Sequence, residues 1–102
     1  MKITKVQYTV QDGYVETNKS NIKQVMADLR QLNNPGIKYS FYILEDGKTF
    51  MHLAIFPDEE TAQILNSLDS FGKFRQELKA SEPEVPPKAE PLNLVASAFD
   101  WF

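Results

Sequence analysis

The segment from Gly36 to Phe56, GIKYSFYILEDGKTFMHLAIF, limits the fold more than any other part of the chain. Asp46-Gly47 at its centre suits a two-residue type I′ turn, which requires positive φ. That turn places Glu45 opposite Lys48, Ile43 opposite Phe50, Phe41 opposite His52 and Tyr39 opposite Ala54. One face of the resulting hairpin carries Ile37, Tyr39, Phe41, Ile43, Phe50 and Phe56. The other carries Tyr42, Leu44, Met51, Leu53 and Ile55. A solvated antiparallel sheet alternates apolar and polar positions, and here both faces are apolar. Both faces are therefore expected to be covered.

The flanking segments supply the remaining elements. Met1–Val10 alternates, with Val6, Tyr8 and Val10 on one side, and reads as a half-buried strand. Between about Glu16 and Leu32 the period lengthens. Ile22, Val25, Met26, Leu29 and Leu32 form one helical stripe, which Asn33-Asn34-Pro35-Gly36 ends. Asp58 is placed to cap a second helix running to about Leu68, burying Leu65 and Leu68 with help from Ile64. Ser70 is placed to cap a third, with Phe71, Phe74 and Leu78 on one face. Residues 81–91 hold four of the six prolines and read as an extended connector. Leu92–Phe102 reads as the last strand. The order is β-α-β-β-α-(α)-β, an α+β ferredoxin-like plan with a four-stranded antiparallel sheet and helices on one face. Its 102 residues form one domain, 1–102.

Helices on one side leave the second sheet face open, and a second copy of the chain is the simplest cover. A domain of this size buries roughly 60–65% of its unfolded exposure, so pairing helps it. The aliphatic face, with Leu44, Met51, Leu53 and Ile55, is expected to meet the helices. His52 is then expected on the sheet-on-sheet side, where protonation below about pH 6 loosens the dimer. The aromatic end, Phe99, Trp101 and Phe102, needs burial against a partner subunit or in a ligand pocket.

Composition excludes several classes. Eleven basic residues against 14 acidic ones leave a net charge of −3 with no basic stripe, which argues against nucleic acid. The absence of cysteine removes disulfides and thiol nucleophiles. No apolar run approaches a membrane span, and no leader pattern opens the chain, so a cytoplasmic protein is expected.

Three stretches resemble a known family: the hairpin itself, LDSFGKFRQEL and PPKAEPLNLV. The hairpin's Gly36-Ile37-Lys38-Tyr39 and Asp46-Gly47-Lys48-Thr49-Phe50-Met51-His52 carry most of the likeness. They are similar to the dimeric α/β-barrel superfamily, and within it to an uncharacterised branch of antibiotic-biosynthesis-monooxygenase-like proteins. The resemblance implies a ferredoxin-like protomer, a homodimeric barrel and no cofactor. Haem-degrading members of the superfamily carry an Asn, a Trp and a His where this chain has Val6, Leu65 and Arg75, which argues against haem.

His52 is the only histidine. It is a candidate base, or donor to a developing oxyanion, in a pocket formed with Tyr39, Phe41 and Phe50. Packing is the stronger reading, since no second histidine, cysteine or obvious carboxylate accompanies it. Asn18 extends the first helix's stripe and is placed to orient a ligand; capping that helix is its stronger reading. Arg75 is placed to meet an anionic ligand; a surface arginine laying its stem over Phe71, Phe74 and Leu78 is its stronger reading. No spacing points to a metal site. Two functions follow. One is binding or cofactor-free oxidation of a small aromatic or polyketide-like molecule. The other is a non-catalytic dimeric module.

Overall fold

A computed structural model describes residues 1–102. Four strands form one antiparallel sheet: β1 (Lys2–Thr9), β2 (Lys38–Ile43), β3 (Thr49–Phe56) and β4 (Val85–Leu92), in the order β2-β3-β1-β4. Helices α1 (Val15–Leu32), α2 (Glu59–Asn66) and α3 (Asp69–Ala80) complete the α+β ferredoxin-like fold. The hairpin register is the one its turn dictates, with Tyr39 paired to Ala54, Phe41 to His52 and Ile43 to Phe50. The turn itself is not the two-residue type I′ turn expected. Leu44 and Thr49 close the hairpin, and the Gly47 amide donates to the Leu44 carbonyl at 3.0 Å. Gly47 (φ +74°) but not Asp46 takes positive φ, so Glu45 and Lys48 lie in a four-residue loop that preserves the register.

Local chemistry sets the helix boundaries. Asp58 caps α2, its carboxylate accepting from the Thr61 amide at 2.8 Å. Asn33 ends α1 in a left-handed conformation (φ 49°), and Pro35 prevents continuation. Two cap expectations need correction. Asn18 does not cap α1, which starts at Val15, and lies inside its first turns. Ser70 lies within α3, whose N-cap is Leu68. Helix α2 also stops at Asn66, short of Leu68.

The last strand differs most from expectation. Strand β4 occupies 85–92, most of the stretch read as a connector, and 93–102 forms no strand. Proline lacks an amide donor, but β4 is an edge strand and only alternate amides face β1. Pro91 pairs with Thr4, and its nitrogen faces outward without loss. The aromatic tail returns to the start of β2, with Lys38 Nζ 5.4 Å from the Phe102 ring centre.

The orientation of the sheet is the reverse of the one expected from the sequence. Tyr8, Phe50, His52 and Phe56 pack beneath the helices with Val25, Leu65, Phe74 and Leu78. The cause is the aromatic content of α3. Phe74 lies 5.6 Å from both the Phe41 and His52 rings, and 6.5 Å from Tyr8. An aromatic helix face meets an aromatic sheet face through edge contacts worth about 0.5–1.5 kcal/mol each beyond area burial. Met51, Leu53 and Tyr42 are left on the open face. Protonation of His52 therefore acts on the packing of the protomer and not directly on that face.

Candidate functional site

His52 sits at the middle of β3, flanked by Val6 of β1 and Phe41 of β2. Its side chain is 4% exposed. Phe41 lies 3.9 Å away between ring centres, Tyr8 meets it edge-on at 5.2 Å, and Phe74 and Tyr39 lie at 5.6 and 5.8 Å. Burial among these rings pushes its pKa down to about 3, so the imidazole is neutral near pH 7.

Counting hydrogen bonds assigns the tautomer. His52 Nδ1 and the Tyr39 hydroxyl are 2.9 Å apart, and Nε2 is buried with no partner. Burial also pushes the Tyr39 hydroxyl well above its usual pKa, which keeps its proton in place. If Tyr39 donates to Nδ1, the only orphan donor is Nε2–H. If Nδ1–H donates instead, both the Tyr39 proton and the Nε2 lone pair are stranded. The first arrangement leaves fewer unmet groups, each of which costs about 1–3 kcal/mol. Nε2 therefore carries the free N–H.

Behind this pair lies a second polar contact. Asn18 is fully buried, and its Nδ2 donates to the Tyr8 hydroxyl at 2.9 Å, while its Oδ1 has no partner. Desolvation raises the Tyr8 pKa as well. Asn18 thus orients Tyr8, whose ring abuts both His52 and Phe50.

A cleft of about 760 Å³ opens between the sheet, α3 and β4. Its floor includes Val6, Tyr8, Tyr39 and His52; Phe71, Phe74 and Arg75 form one wall, and Pro86, Pro87 and Ala89 the other. Such a volume, mainly apolar with a few polar groups, is typical of small-molecule sites. The Arg75 guanidinium lies 5.6 Å from the Phe71 ring centre. Of the residues singled out from sequence, His52, Tyr39 and Arg75 line the cleft. Phe41, Phe50 and Asn18 stand behind, against His52 or Tyr8. Sequence reasoning missed Tyr8 and the β4 wall. Tyr8 was legible, since it shares the alternating face of β1 with Val6 and Val10. No three His, Asp or Glu side chains converge as a metal site would require.

This arrangement of one antiparallel sheet and three helices has known counterparts. The chain has an antibiotic biosynthesis monooxygenase-like fold. A proposed monooxygenase of that kind from Bacteroides thetaiotaomicron superposes with a TM-score of 0.82 at 11% identity, covering 97% of this chain and 93% of its own. Another from Nitrosomonas europaea gives 0.78 at 14% identity, covering 94% and 100%. A variant of SnoaB, a cofactor-independent oxygenase from Streptomyces nogalater, gives 0.70 at 15% identity, covering 97% and 98%. No protein-family model matches the chain, and no curated protein matches it in sequence.

Proposed function

We propose that the cleft binds a small aromatic molecule and that the chain oxidises it with dioxygen, without a cofactor. One observation carries this reading: a neutral imidazole lines an apolar cleft and its buried Nε2 has no partner in the chain, so a ligand oxygen reaches that N–H once the rings packed over it turn aside. A fixed N–H donor in a water-poor site stabilises a developing enolate or phenolate oxygen, the largest single contribution in many enzymes. Tyr39 holds the tautomer and Asn18 holds Tyr8. The ligand's own proton is lost to solvent, and the resulting electron-rich carbon meets dioxygen. A CH₂ group between aryl rings then becomes C=O. One oxygen atom enters the product, and the other leaves as water with the two hydrogens. The carbon supplies all four electrons. Similarity to a fold that includes a cofactor-independent oxygenase supports the same chemistry.

Anthrone, whose CH₂ has this character, provides the test. Anthraquinone absorbance and an oxygen electrode should record one dioxygen consumed per product. His52→Ala should lower the rate at least ten-fold, within the range for loss of an oxyanion donor. Tyr39→Phe should lower it less, by releasing the tautomer. No acceleration over buffer, or full activity in His52→Ala, would remove the catalytic role.

A separate surface supports a homodimer. Tyr42 and Leu44 are 49% and 41% exposed, and they share the open face with Met51 and Leu53. A contiguous apolar face of this kind is characteristic of interfaces. That face alone favours the second reading, an assembly module without chemistry. The anthrone assay separates the two.

A further inference from the structure

The cations at the rim of the cleft narrow the ligand further. Arg75 and Lys79 are four residues apart on α3, and both line the cleft. Side chains so spaced lie about 5–6 Å apart at Cβ on one helix face. Neither takes part in any of the chain's ion pairs, which involve Lys2, Lys19, Lys48 and Lys73. Lys73 shows that α3 does pair its cations elsewhere, reaching Glu77 one turn along at 3.8 Å. Of the three cations on α3, the two that line the cleft are the ones without a carboxylate.

The opposing carboxylate on the rim, Glu82, does not fill that role. Its backbone sits in the left-handed region at φ 55°. There its amide donates to the Lys79 carbonyl at 3.2 Å, and its carbonyl accepts from Gln11 Nε2 at 3.0 Å. Even so, its side chain comes within ion-pair distance of neither cation. The rim keeps an excess of one positive charge. Arg75 is also held in place, since its guanidinium rests over Phe71, where a cation gains from the ring face.

We infer that the ligand is an aromatic acid: its carboxylate meets Arg75 and Lys79 at the rim, its rings lie along Phe71 and Phe74, and an oxygen at its far end meets His52. This rests on the small-molecule reading above and adds the chemical class. A planar guanidinium pairs a carboxylate through two parallel hydrogen bonds, and an ammonium one turn away reinforces it. The partners therefore select the anion over a neutral isostere of the same shape.

Calorimetric titration with matched probes tests the inference. The probes are a hydroxynaphthoate with hydroxyl and carboxylate at opposite ends, the corresponding hydroxynaphthamide, and 2-naphthol. The acid should bind at least about ten-fold tighter than the amide, the effect of one good charge-assisted contact. The advantage should shrink at about 0.5 M salt, where exposed charges are screened. Combined Arg75→Gln and Lys79→Gln should erase it and leave amide affinity unchanged. Both cations are exposed, so the fold should tolerate these changes, and circular dichroism verifies that. Ala89→Trp, which fills the cleft from β4, should abolish binding of all three probes. If acid and amide bind equally and Ala89→Trp blocks both, the aromatic-acid assignment is wrong and the cleft reading stands. If none of the probes binds, or Ala89→Trp leaves binding intact, the cleft reading falls and takes this assignment with it.

Discussion

Lowering the pH from 7 to 5 should weaken the fold by about 2 kcal/mol through His52 alone. An unfolded imidazole titrates near 6.5, and the folded one near 3. Between those values the unfolded chain binds a proton that the folded chain refuses, so stability is lost as pH falls below 6.5. The loss approaches about 1.4 kcal/mol per pH unit and ends only near the folded pKa. At pH 5 the imidazole is about 1.5 units below its unfolded value, which gives the figure of about 2 kcal/mol. Three carboxyl groups act in the same direction but lower on the scale. Hydrogen bonds hold Asp46, Asp58 and Glu59 below their ordinary values of 3.8, 3.8 and 4.5, so their contributions disappear mainly under pH 4.5. The window from 7 to 5 therefore isolates the histidine. Urea unfolding at fixed protein concentration, at pH 7, 6 and 5, should show a steady fall for the natural chain and a much flatter profile for His52→Gln. Parallel profiles would refute the argument, because no other histidine exists to produce the slope.

Two further outcomes follow from the packing. Asn18→Ala strands the buried Tyr8 hydroxyl and should cost about 1–3 kcal/mol in urea unfolding. Tyr8→Phe added to it should cost less than the sum of the two single changes; strict additivity would show that the 2.9 Å contact contributes nothing. Leu53→Glu on the open face should leave far-UV circular dichroism unchanged and convert a dimer to a monomer in light scattering. A natural chain already monomeric at micromolar concentration would rule the interface out.

The hairpin register was readable because the position of the Asp-Gly turn sets every pairing beyond it. Of the four expected pairs, Ile43–Phe50, Phe41–His52 and Tyr39–Ala54 occur, and Glu45–Lys48 does not, because the loop is two residues longer than the turn expected. Period alone likewise placed Ile22 and Val25 of α1 and Phe74 and Leu78 of α3 in the core, although Leu32, counted in the same stripe, is exposed at the end of α1. What could not be read was which hairpin face the helices cover. Both faces are apolar, so hydrophobicity is degenerate between them. The choice depends on the fit of Phe74 to Phe41, His52 and Tyr8, a property of three elements together. The Pro-rich strand escaped notice for a related reason. Proline excludes a segment from a central position in a sheet but not from an edge, and edge position is a property of the assembled topology. The cleft depended on both points: its floor is the face that was turned over, and one wall is the strand that was missed. His52, Tyr39 and Arg75 could still be singled out because each is chemically conspicuous among apolar neighbours.

The proline edge also governs how these protomers can grow into larger arrays. Pro91 faces outward from its pairing with Thr4, and Pro86 and Pro87 fall in the irregular step of β4 between Val85 and Lys88. These three residues have no amide hydrogen to offer an incoming strand. The other margin of the sheet, β2, has no proline at all in Lys38–Ile43. Ribbon-like polymerisation through strand addition needs two receptive margins on every subunit, and this sheet has one. Edge pairing through β2 therefore stops at two copies, each presenting a blunt β4 outward, and filament propagation is closed off at its first step.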